Sequence, residues 1–132
     1  MNPFAKNTTS PNVLILGAGK RAGKLYQEVM ETKSQVLPAL SGFVPLEDQD
    51  AAIPENLILQ NERTLTELVK ELQVTEIVII QDHPAQQCPM QQLLNCKMAG
   101  VALSDLDTFL ERLYAELYEL EENFEPLLVN YN

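Results

Sequence analysis

The spacing of apolar residues changes as the chain proceeds. Val13-Leu14-Ile15-Leu16 is a continuous apolar run that ends abruptly at Gly17, the pattern of a short strand buried on both faces. Beyond Gly19, residues Ala22, Leu25, Tyr26, Val29 and Met30 recur at helical spacing, leaving Lys20, Arg21, Lys24, Gln27, Glu28 and Glu31 for solvent. The pattern predicts strand, tight turn and amphipathic helix in succession.

The same alternation continues downstream. QVLPALSGFVPL, residues 35–46, is β-rich but interrupted by Pro38, Gly42 and Pro45; it predicts a strand with an irregular start and its best pairing around Gly42 to Val44. LEDQDAAIPEN reads as a surface loop and Leu57 to Leu59 as a brief strand. Thr64-Leu65-Thr66-Glu67 has the form of a capping box, in which hydroxyl and carboxylate satisfy each other's orphaned helix-end amides. Leu65, Leu68, Val69 and Leu72 then form an apolar stripe. Glu76 to Gln81 is β-branched in a row and predicts a second central strand. Pro89 suits a first helical turn, Met90, Leu93, Leu94 and Met98 a buried stripe, and Gly100 a left-handed stop. Val101 to Leu103 is the next strand. Ser104 or Asp105 can cap a last helix with Leu106, Phe109, Leu110, Leu113, Leu117 and Leu120 on one face, before Pro126.

Strands alternating with helices predict an α/β fold: a Rossmann-like, doubly wound, mostly parallel sheet with helices on both faces. The length of 132 residues fits one domain. Its expected extent is residues 12–120, with 1–11 a flexible leader and 121–132 a C-terminal tail. No window approaches the apolar length of a membrane span, and the Asn-, Thr- and Pro-rich start lacks the apolar core of a secretory signal. A cytoplasmic chain is therefore expected. Cys88 and Cys96 lack the paired spacing of a zinc site and are expected as free thiols.

The net charge of −10 argues against nucleic acid as a partner. Charge is unevenly spread: residues 105–125 carry eight acids against Arg112, whereas Lys20, Arg21 and Lys24 crowd the glycine turn. That turn reads Gly17-Ala18-Gly19-Lys20-Arg21-Ala22, which is G-x-G-x-x-A between a strand and a helix. The first glycine permits the sharp turn, the second lets backbone approach a diphosphate, and the small third residue lets helix and strand pack closely. Helix-end amides and dipole then face the anion. Such a site also wants an acidic residue after the second strand to hold a ribose, and Glu47 and Asp48 are the candidates. The same turn occurs wherever a Rossmann strand meets its helix, so ligand site and structural relic both stand.

Catalytic residues are not apparent. The single histidine, His83, falls just beyond the EIVII strand, on the edge where open α/β sheets bind ligands, beside Asp82. It reads either as a ligand contact or as a plain loop residue. Tyr114, Tyr118 and Phe124 add apolar surface to the last helix and make a self-association contact, a homodimer, one reading of it.

Taken together, GAGKRAGKL, SGFVPLEDQDAAIP, LTELVKELQVTEIVII and CPMQQLLNCKMAGVALSDLDTFLER resemble, in that order, the Rossmann-like domain of bacterial polyprenyl glycosylphosphotransferases. These are the exopolysaccharide sugar transferases that load a sugar phosphate onto a lipid carrier. The most specific piece is LLNCKMAGV followed by Asp107 to Arg112. The resemblance implies a cytoplasmic, non-catalytic domain of a membrane-anchored parent, similar to CoA-binding or NAD(P)-binding folds. Its implied role is regulation or assembly, with NAD(P), CoA or a UDP-type nucleotide or nucleotide-sugar as the ligand class, at Gly17, Ala18, Gly19, Lys20, Arg21 and Ala22. A stand-alone NAD(P)-dependent or nucleotide-sugar-modifying enzyme and a ligand-free scaffold are the other two expectations.

Overall fold

A computed structural model describes residues 12–32, 39–59 and 63–124. The leader, the start of the 35–46 segment and the end of the tail lie outside them. The strands are β1 (Asn12–Leu16), β2 (Ala39–Val44), β3 (Glu76–Ile79) and β4 (Ala102–Asp105). The helices are α1 (Lys20–Thr32), α2 (Leu65–Leu72), α3 (Met90–Met98) and α4 (Leu106–Phe124). The strands form one parallel sheet in the order β2-β1-β3-β4. The expected α/β Rossmann-like fold is therefore present.

Strand alternation decides which residue faces which layer. Val13 and Ile15 of β1, with Val78 and Ile80 from the β3 segment, pack against Ala22 and Leu25 of α1 and Phe109 and Leu113 of α4. Leu14, Leu16 and Ile77 point the other way, against Leu65, Leu68 and Val69 of α2 and Leu93 and Cys96 of α3. This is why β1 and β3 read as continuous apolar runs: each is covered on both faces. Truncating a fully buried residue such as Leu14 to Ala would cost about 2 to 5 kcal/mol.

Several local signals act as written in the sequence. Thr64 and Glu67 form both bonds of the capping box. Asp105 caps α4, its Oδ1 accepting from Thr108 N at 2.8 Å. Gly100, with φ of 100°, ends the turn after α3.

Three expectations are corrected. Leu57 to Leu59 is not a strand: Glu55–Leu57 is a 3-10 turn, and only Ile58 bridges to Phe43. Pro54 precedes that turn, and its carbonyl accepts from Leu57 N at 2.9 Å. Met30, counted with the buried face of α1, is exposed. The largest correction concerns α3, where Leu93 and Cys96 are buried but Met90, Leu94 and Met98 are exposed. Adjacent helical residues are about 100° apart, so a helix that aims Leu93 and the small Cys96 at the sheet turns Leu94 aside.

Candidate functional site

In an open parallel sheet the ligand crevice lies at the carboxyl ends of the strands where the chain reverses direction across the sheet. Here that point lies between β1 and β3, since β1 is flanked by β2 on one side and β3 on the other. Gly17 leaves β1 with φ of 140°, and its N–H donates to Val44 O at 2.6 Å. A Cβ at Gly17 would collide with the Ile80 carbonyl, so glycine is required there for backbone reasons.

The turn itself is covered by the chain's own polar side chains. Asp82, just beyond β3, places its carboxylate against Gly19, in the space a Cβ on residue 19 would need. Asp82 Oδ1 accepts from Arg21 N at 3.2 Å, at the first turn of α1. Gln49 Oε1 accepts from Ala18 N at 2.8 Å and from Leu46 N at 2.9 Å, while Gln49 Nε2 donates to Asp82 Oδ2 and to Gln86 Oε1. Gln86 is buried; its Oε1 also accepts from Asp82 N at 2.9 Å, and its Nε2 donates to Glu47 O at 3.1 Å. Arg21 Nη1 donates to Gln81 O at 3.0 Å, fastening α1 to the same loop.

The loop after β2 completes the cover. Ala52 N donates to Ala18 O at 2.8 Å, and the Ala52 carbonyl would lie only 2.8 Å from a Cβ on Gly23. Gly17, Ala18, Gly19 and Ala22 are consequently buried. Lys20 and Arg21 remain exposed, and Arg21 and Lys24 line a groove between α1 and α4 with Leu106 and Leu110.

Glu47 and Asp48 occupy an exposed turn, Asp48 with φ of 62°. They meet His83 and Gln86 around a polar cavity of about 210 Å³. The structure thus brings Glu47, Asp48 and His83 together around a cavity whose lining does not include the buried glycines. The side chain from the β2 loop that reaches the glycine turn is Gln49. Gln49 and Gln86 carried no motif in the sequence; a glutamine offers donor and acceptor at once, which suits a junction of several loops.

A larger cavity, about 380 Å³, opens on the α2 and α3 side between Leu16, Val44, Leu46, Arg63 and Cys88. Burial pushes the Cys88 thiol up, so the reactive thiolate is disfavoured at neutral pH. Among the described residues no group of three His, Cys, Asp or Glu is placed to hold a metal ion. No helix among them is long and apolar enough to cross a membrane.

The motif residue Arg112 has a structural task. Its guanidinium pairs with the carboxylate of Glu76, the buried first residue of β3, and Ser104 Oγ donates to the same carboxylate. This ties α4 to the sheet's amino edge, opposite the glycine turn.

Fold and site together define a Rossmann-like α/β domain whose glycine turn is roofed by its own polar network. No known protein family, curated protein or solved structure matches the chain.

Proposed function

We propose that this chain is a non-catalytic regulatory or assembly domain, in keeping with its resemblance to the Rossmann-like domain of exopolysaccharide sugar-phosphate transferases, and that it works without a nucleotide at residues 17–22. The observation that carries the reading is the Asp82 carboxylate lying against Gly19 and bonded to Arg21 N. In a dinucleotide site that space belongs to phosphate oxygens, and the helix-end amides donate to them. Here Asp82 supplies the anion and Gln49 takes the Ala18 amide. A diphosphate would have to displace a carboxylate of its own sign and break the bonds from Arg21 N and Gln49.

The test is a thermal-unfolding panel with NAD(H), NADP(H), CoA, UDP and UDP-sugars at millimolar concentration. A ligand held only by the folded state raises the midpoint by mass action. The reading requires the midpoint to stay put with every compound. A saturable rise with any of them, lost when Lys20, Arg21 and Lys24 are replaced by alanine, overturns it in favour of a nucleotide sensor or enzyme.

A further inference from the structure

We infer that the far half of α4 is a docking helix for another protein, and that the partner is an amphipathic helix with lysine or arginine flanking an apolar seam. One ion pair fixes where the sheet stops supporting α4. The helix leaves β4 at the carboxyl edge and runs back across the sheet, and Arg112 already pairs with Glu76, the first residue of β3. Among the described residues Leu113 is the last of α4 to join the core. The helix continues to Phe124, so residues 114–124 carry about 16 Å of it past the sheet's amino edge. The neighbouring α1 meets α4 where Tyr114 bonds to Glu28, and it ends one turn later at Thr32. By helical rise, Leu120 and Phe124 fall past the ends of β3, β4 and α1.

The sequence keeps an apolar seam over that length. Leu106, Leu110, Leu113, Leu117, Leu120 and Phe124 succeed one another at alternating steps of four and three, the period of helices that wind on each other. The first three serve the domain itself, Leu113 buried and Leu106 and Leu110 packed against the core. A helix that ended with the sheet would need the stripe no further than Leu113. The last three keep its register and stand at i, i+3 and i+7, the anchor spacing with which a single amphipathic helix binds a partner.

Charge selects the occupant. Residues 114–124 hold four acids, Glu116, Glu119, Glu121 and Glu122, and no base. Glu116 and Glu121 take the two positions that flank the seam, where charge sets partner choice. Two parallel copies would set Glu116 of one helix against Glu121 of the other, and in the opposite alignment neither copy supplies a cation. The last turn of α4 also lacks a base, although the carboxyl end of a helix dipole calls for one. Lysine or arginine on a facing helix answers both demands. Anionic lipid and nucleic acid meet the same repulsion as a second copy. This segment is separate from the glycine turn, so failure of the inference would leave the Asp82 reading untouched.

The test uses the full chain and a labelled synthetic helix of about four heptads, with leucine at both seam positions and lysine at both flanking ones. One control peptide keeps the lysines but has serine in the seam; the other keeps the leucines but has glutamate at the flanks. Fluorescence anisotropy should show the first peptide binding about tenfold or more tightly than either control. Leu117→Ser with Leu120→Ser should remove that preference and leave the melting midpoint unchanged. Glu116→Lys with Glu121→Lys should transfer the preference to the glutamate-flanked peptide. Amide exchange over residues 114–124 should slow in the complex. Equal binding of the two lysine peptides would reduce the contact to bare charge attraction and overturn the inference. No binding, indifference to the serine substitutions, a midpoint that falls with them, or a chain that by light scattering pairs with itself through Leu117 and Leu120 would overturn it too.

Discussion

Asp82 and Gly19, 63 residues apart in sequence, share one small volume: the carboxylate of the first fills the space the second leaves by lacking a side chain. The same carboxylate accepts from Arg21 N and so sits at the positive end of α1. A glycine that permits close approach of a phosphate is here approached by the protein's own anion.

That relationship predicts non-additivity. Gly19→Ala should destabilise by about 1 to 3 kcal/mol, since the new methyl must push aside a carboxylate held by two groups, Arg21 N and Gln49 Nε2. In an Asp82→Ala background the same change should cost well under half as much, because the obstacle is gone. Gly17→Ala should gain no such relief, as it meets the Ile80 carbonyl and needs a left-handed φ. Urea unfolding of the two cycles measures both.

Asp82→Ala by itself should cost about 0.5 to 2 kcal/mol, through loss of the carboxylate bonded to the helix-end amide. It also bares Arg21 N beside Lys20 and Arg21. Pyrophosphate should then raise the melting midpoint of the variant more than that of the parent chain. Equal responses of the two proteins would mean that Asp82 does not compete with an anion.

Arg112→Ala should cost about 1 to 3 kcal/mol, because it strands the carboxylate of Glu76 in a buried position. The figure sits below that of a fully buried pair since the guanidinium is half exposed to water. Replacing Glu76 and Arg112 together by Leu and Met should restore much of the loss. Chemical denaturation of the single and double variants checks the order.

The Asp105 carboxyl lies below the usual aspartate range, held there chiefly by the bond from the Thr108 amide. A depressed folded-state pKa means that this stabilisation is present above the unfolded aspartate pKa and is lost as pH falls through the lower folded one. The stability gap between parent and Asp105→Ala should thus be full near neutrality and narrow only in acid. Unfolding free energies measured along a pH series would reveal a gap that is flat or widens in acid if the cap is unimportant.

How much was legible in the sequence varies from element to element. The apolar runs at Val13 to Leu16 and Ile77 to Ile79, the capping box at Thr64 and the glycine stop at Gly100 are local patterns with local causes, and each appears in its place, although the strand expected over Glu76 to Gln81 ends at Ile79. Met90, Leu94 and Met98 misled because a nine-residue helix is too short for periodicity to choose between two neighbouring faces. The site was half legible: G-x-G-x-x-A marked the turn, but nothing local marked Gln49 and Gln86 as its cover.

The sequence by itself determined the order of the four sheet strands and four helices, the parallel α/β class and the need for glycine where the first strand meets its helix, because strand period, helix period and backbone sterics act over a few residues. Only the tertiary structure decided what faces that turn. Asp82 and Gln49 reach it through strand order and loop length, which bring chain ends together at the reversal point of the sheet. The same packing chose Leu93 and Cys96 as the inward face of α3 and left an uncharged apolar line outside. Contacts between distant segments carry no periodic signal, so they become visible only when the sheet assembles them.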